Sequence, residues 1–146
     1  MEGEIERIKT YINGFDEAIQ GGVPKKHVVL MSGTAGSMKS SATFNVLYNE
    51  ALNGKTGLYI TLEQSYQSLY QHFMNMGLKL DSINVQPIKE LTNIGETIHS
   101  VNNASTGSII VADMGVIRKE IKDLKISDNK SWLNVIKNIL KKIKTE

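Results

Sequence analysis

Three short apolar runs, each ending at a glycine or an acidic residue, alternate along the chain with stretches whose apolar residues recur at helical spacing. The runs are His27-Val28-Val29-Leu30-Met31 before Ser32-Gly33, Gly57-Leu58-Tyr59-Ile60-Thr61-Leu62 before Glu63, and Ile109-Ile110-Val111-Ala112-Asp113 before Met114-Gly115. Runs this short and this continuous predict strands buried on both faces, as parallel sheets require. Between the first two lies Lys39 to Asn53, with Phe44, Leu47, Tyr48, Ala51 and Leu52 on adjoining helical positions and Gly54 placed to end the helix. Ser65 is placed to cap a second helix carrying Tyr66, Leu69, Tyr70, Phe73 and Met74, stopped by Gly77. Residues 78 to 107 are less regular: Ile83-Asn84-Val85 reads as a short strand, Pro87 as a break, and Leu91 to Val101 as a weaker helix interrupted by Gly95. Ser131 precedes a last helix, Trp132 to Lys144. Strands alternating with helices predict an α/β fold, an open and mostly parallel sheet flanked by helices, in a single domain over residues 1–146.

Composition agrees with a globular chain. Forty percent of the 146 residues are hydrophobic, 22% are charged and only two are proline, which excludes disordered and collagen-like classes. Without cysteine there is no disulfide framework, thiolate metal site or cysteine nucleophile, and the expected compartment is a reducing cytoplasm. The acidic start Met1-Glu2-Gly3-Glu4-Ile5-Glu6 lacks an apolar signal region, and no long apolar run predicts a membrane span. The net charge of +2 is unevenly distributed. Residues 1–116 hold 8 Lys+Arg against 11 Asp+Glu, whereas residues 117–146 hold 9 against 4. In that tail the lysines interleave with Trp132, Ile136, Ile139, Leu140 and Ile143 at helical spacing, the pattern of an amphipathic helix with a solvated basic face rather than of a nucleic-acid groove. His27, His72 and His99 have neither ligand spacing nor cysteine companions, so no metal centre is expected from them.

The segment Gly33-Thr34-Ala35-Gly36-Ser37-Met38-Lys39-Ser40-Ser41 follows a predicted strand and opens a predicted helix, the context of a phosphate-binding loop. In such a loop small residues let backbone N–H groups turn around a phosphate, and the helix N-terminus adds unpaired donors and partial positive charge. Lys39 is then the residue for the β and γ oxygens of ATP, and Ser40 the hydroxyl for Mg²⁺. The general pattern G-x-x-x-x-G-K-[ST] is incomplete here, because Met38 stands where the second glycine belongs. Its N–H is retained, but its side chain crowds the backbone's approach to phosphate.

Taken together, these segments resemble the RecA superfamily and, within it, the KaiC-like ATPases of archaeal type. Gly14-Phe15-Asp16 followed by Gly21-Gly22-Val23-Pro24 is similar to the family's lead-in G-[LF]-D-x-x-x-x-G-G-[IV]-P, and Gly33 to Ser41 is similar to its variant loop G-T-x-G-T-M-K-S-S. The resemblance implies that Tyr59-Ile60-Thr61-Leu62-Glu63-Gln64 matches the strand whose terminal acid activates water, which makes Glu63 the candidate general base. The adjacent Gln64 replaces a second glutamate found in many members and cannot take a proton.

Ile109 to Asp113 has the form of a Walker B strand, with Asp113 placed to hold Mg²⁺ through water. The resemblance favours a different assignment: Asp113-Met114-Gly115-Val116-Ile117-Arg118-Lys119 is similar to the family's D-[LMI]-G-x-[IL]-R-K segment, which belongs to the strand before Walker B. On that reading the sequence stops where Walker B would begin, and the expectation is a homo-oligomer or a complementing protein segment to cover the open flank. Three functions follow as expectations: an ATP-hydrolysing core, a nucleotide-dependent regulatory or assembly module that does not hydrolyse, and, least supported, a DNA-strand-handling protein, for which no basic groove with interleaved aromatics is visible.

Overall fold

The computed structural model describes residues 5–88, 90–123 and 129–144. Its N-terminal part is a small antiparallel ribbon, Arg7–Ile8 (β1) with Val23–Pro24 (β2), closed around a one-turn helix, Phe15–Ala18 (α1). Asp16 organises this lead-in. Its carboxylate accepts from the Thr10 N–H (2.8 Å), the Thr10 hydroxyl (2.7 Å) and the Tyr11 N–H (3.0 Å). These bonds, the Thr10 backbone donor foremost, hold its carboxyl below the ordinary carboxylate range. Gly22 is required by close approach: at φ 125° a Cβ there would lie 2.3 Å from the Ile8 carbonyl oxygen. The lead-in motif is thus explained by backbone geometry.

After the loop come Lys39–Leu52 (α2), Thr56–Thr61 (β3), Tyr66–Asn75 (α3), Asn84–Ile88 (β4), Ile94–Asn102 (α4), Ser108–Asp113 (β5), Met114–Asp123 (α5) and Asn129–Lys144 (α6). Strands β3, β5 and β4 form a parallel sheet in that order, with Leu58 beside Ile110 and Val85 beside Ile109. All six residues of the central strand β5 are buried, and they alternate between two cores. Ile109 and Val111 join Phe44, Leu69 and Phe73 under α2 and α3. Ile110 and Ala112 join Ile98, Ile117 and Ile139 under α4, α5 and α6. A strand covered on both faces is apolar along its middle, as Ile109 to Ala112 are, and its buried polar ends, Ser108 and Asp113, carry hydrogen bonds.

The glycine stops lie where expected. After α2, the Gly54 N–H donates to Ala51 O and the Lys55 N–H to Glu50 O. After α3, the Gly77 N–H donates to Met74 O and the Leu78 N–H to Phe73 O. Both glycines are left-handed, at φ 80° and 82°, so each helix ends in a Schellman motif.

Four expectations are corrected. Pro87 does not break β4 but lies within it, paired in register with Val111. It is tolerated because β4 is an edge strand, where a missing N–H need not cost a ladder bond. Gly95 does not interrupt its helix but sits in the first turn of α4, after a 3-10 turn over Leu91–Asn93. The last helix starts at Asn129, so Ser131 lies inside it. Ile139 is fully buried, whereas Leu140 is 40% exposed, and the side chain of Trp132 lies outside the described residues.

The largest correction concerns His27–Met31, expected as a buried strand. It has no regular structure, and Val28 is 99% and Leu30 89% exposed. An apolar run becomes a strand only where neighbours take up its backbone donors and acceptors. Among the described residues no strand pairs with it, and β3, half-buried, forms one edge of the sheet.

Candidate functional site

The loop between residues 32 and 38 folds back on itself around one carbonyl. Thr34 O accepts from the Ser37 N–H (3.3 Å), the Ser37 hydroxyl (2.8 Å) and the Lys39 ammonium (2.6 Å), and the ammonium also donates to Ser37 Oγ (3.1 Å). The turn is tight: a Cβ on Gly33 would lie 2.6 Å from Ser37 Oγ. Gly36 and Met38 both have positive φ, 79° and 57°. Left-handed backbone at a non-glycine residue costs about 1–2 kcal/mol, so Met38 adopts at a cost the conformation the expected glycine would supply freely.

α2 begins directly after Met38 with no side chain capping it, and the amides of Lys39, Ser40 and Ser41 meet no acceptor among the described residues. Those donors and the positive end of the helix dipole face the loop that holds the Lys39 ammonium. A neutral carbonyl with three donors on it is a weaker partner for an ammonium than an anion, which adds charge–charge attraction to the hydrogen bond. The Ser40 hydroxyl is exposed and bonded to no described residue. The Thr43 hydroxyl, one turn on, donates back to the carbonyls of Lys39 (3.1 Å) and Ser40 (3.0 Å). Ser41 differs from its neighbours in being buried, with its hydroxyl facing α3.

Glu63 lies in the turn after β3, exposed and without a described hydrogen bond. The turn itself is fixed: the Thr61 hydroxyl donates to Gln64 O (2.8 Å) and accepts from the Gln64 N–H (3.2 Å). Ser65 then caps α3, its hydroxyl accepting from the Ser68 N–H as its sequence position predicts. Asp113 is buried and fully engaged. One oxygen accepts from the amides of Gly115 (3.0 Å) and Val116 (3.2 Å), capping α5, and the other accepts from the Tyr66 amide (2.9 Å) at the start of α3. A carboxylate shared by three N–H groups is a structural cap.

The sequence pattern of the family described as "ATPase: KaiC" matches residues 8–145. The chain belongs to the KaiC family of ATPase domains. It is 42% identical over 72 residues to a UPF0273 protein of Saccharolobus solfataricus, covering 47% of this chain and 26% of that protein. It is 37% identical over 73 residues to a UPF0273 protein of Pyrococcus furiosus, covering 50% and 30%. With the circadian clock oscillator protein KaiC of Thermostichus vulcanus it shares 33% identity over 81 residues, 55% of this chain and 16% of the relative. These matches span less than a third of each relative's own length.

The parallel α/β core and the archaeal relatives make this a KaiC-like domain of the RecA superfamily. In this KaiC-type domain the aromatic stripe of α3 is core, as its spacing implies: Leu69 and Phe73 are buried, Tyr66 and Tyr70 are partly so, and Phe73 stacks on Phe44 with ring centroids 3.6 Å apart. The cavity among Phe44, Tyr59, Tyr66, Tyr70 and Phe73 has a volume of ≈ 10 Å³, room for about one water and not for an adenine. Two features went unread in the sequence. The capping role of Asp113 had a local signal, Asp before a helix start, obscured because the strand runs into α5 without a loop. The contact between Ser41 and His72 had none.

Proposed function

We propose that this domain binds ATP through residues 33–41, with Lys39 and the amides at the start of α2 on the phosphates and Ser40 as the hydroxyl for Mg²⁺. The observation that carries this reading is an ammonium held inside a tight Gly33–Lys39 loop, beside three amides that meet no acceptor among the described residues. The donor set fits a polyphosphate. The Ser40 hydroxyl oxygen, exposed and bonded to no described residue, fits Mg²⁺, which takes few protein oxygens and completes its shell with phosphate and water. Bound there, Mg²⁺ would neutralise phosphate charge. The chain's own part is to exchange the Thr34 carbonyl for phosphate at the Lys39 ammonium and to offer amides along the loop. Glu63, in a turn fixed by Thr61 at the carboxyl end of β3, is the candidate to orient water.

Titrating Mg·ATP calorimetrically into the chain and into Lys39→Ala tests the reading. Binding by the parent, weakened at least about tenfold in the variant, is expected; equal affinity would defeat the loop assignment. A second reading, a nucleotide-dependent regulatory or assembly module without hydrolysis, is favoured by the unpaired edge of β3 and the uncovered run 27–31. Phosphate release separates the two. Turnover lost in Glu63→Gln supports hydrolysis, and binding without release in both parent and variant supports the module. In either case the unpaired edge and the uncovered run are the surfaces for a further copy of the chain or a complementing segment.

A further inference from the structure

Ser41 is the residue of the loop whose side chain turns inward. It is 6% exposed, and a hydroxyl buried this way needs a partner. That partner is His72 on α3, with Nε2 3.3 Å from Ser41 Oγ, a bond that either histidine tautomer can make because the hydroxyl both donates and accepts. The His72 ring also contacts the Phe73 ring, at a centroid distance of 5.4 Å. α3 is itself anchored to the sheet, capped by Ser65 and fastened at the Tyr66 amide to Asp113, the last residue of the central strand. The turn carrying Glu63 leads straight into α3. A polar chain therefore runs from the first turn of α2 through Ser41, His72 and α3 to the end of β5, with the Glu63 turn at the start of α3.

We propose that His72 is a positioning residue for the phosphate loop: by holding Ser41 it fixes the first turn of α2 against the helix that follows Glu63. The inference rests on the nucleotide reading above. The physical reason lies in what else holds that turn. No side chain among the described residues caps α2, and its entry passes through the strained Met38. With little local support, the amides of residues 39–41 depend on a tertiary bond to stay ordered before ligand arrives, and preorganisation of this kind raises affinity by lowering the ordering cost of binding.

Calorimetric titration of Mg·ATP into the whole chain, its His72→Phe, His72→Gln and Ser41→Ala variants, and the Ser41→Ala/His72→Phe double variant tests this. His72→Phe keeps the ring against Phe73 and removes the bond; His72→Gln keeps a hydrogen-bonding atom near the Nε2 position. The expected result is affinity weakened about fivefold in His72→Phe and Ser41→Ala, no further loss in the double variant, and affinity within about twofold of the parent in His72→Gln. Equal affinity in His72→Phe and the parent overturns the proposal and leaves the nucleotide reading standing, as does failure of glutamine to rescue or additivity of the two losses. Absence of binding by the parent chain overturns both.

Discussion

Asp113 distributes two carboxylate oxygens over three amides belonging to two helices, one of them 47 residues away in sequence. Its removal takes from three N–H groups the acceptor they share, each lost bond being worth about 1 kcal/mol. Asp113→Ala is therefore expected to lower the unfolding free energy by about 2–4 kcal/mol in urea titration, with an unchanged slope. Asp113→Asn retains one accepting oxygen and loses less. Because the role is structural, nucleotide affinity in the folded asparagine variant stays within about twofold of the parent; a larger drop would return this residue to the metal site. The same contrast runs through the loop. Glycine at residue 36 supplies positive φ freely, whereas Met38 reaches 57° under strain. The lysine and the small residues of this loop were legible as letters in order. That the ammonium rests on Thr34 O is decided by the fold of the loop, and that of the adjacent serines one is exposed and the other buried follows from how α2 lies against α3.

At the level of elements, helix ends were the most readable feature, because a Schellman motif is decided within a few residues by a glycine that can take positive φ. The packing of those ends was not. Gly107, just before β5, lies against the end of α2, where a Cβ would come within 2.1 Å of Ala51 O and 2.7 Å of Lys55 O. Both oxygens belong to backbone held in place: Ala51 O accepts from the Gly54 N–H, and Lys55 O accepts from the Ser108 N–H. Gly107→Ala is expected to destabilise by about 2–3 kcal/mol in thermal or urea unfolding. Gly57→Ala meets only the flexible tip of Leu47, at 2.7 Å, and is expected to cost less; the reverse order would show that α2 can slide over the sheet. Pro87 illustrates the same limit on local reading. Proline is a breaker in isolation, but the edge position of β4 makes its missing donor harmless.

Across the whole molecule, the two cores on either side of β5 are complete without residues 27–31, which project Val28, Val29 and Leu30 into solvent. Among the described residues β3 is likewise paired on one side only. Unpaired backbone and exposed apolar side chains favour association, so sedimentation velocity is expected to show mass rising with concentration. The pair of substitutions Val28→Lys and Leu30→Lys is expected to suppress that rise without moving the melting temperature, since neither side chain contributes to a core. A strictly monomeric parent at every concentration would show that this surface is inert. The α/β class, the alternation of strands with helices and the phosphate-loop motif were set by the sequence alone, because each depends on periodicity or on residues adjacent in the chain. Strand pairing, the half-burial of β3, the cap made by Asp113 and the bond from His72 to Ser41 were decided only in three dimensions. Each needs a partner far away in sequence, and no local pattern records whether that partner arrives.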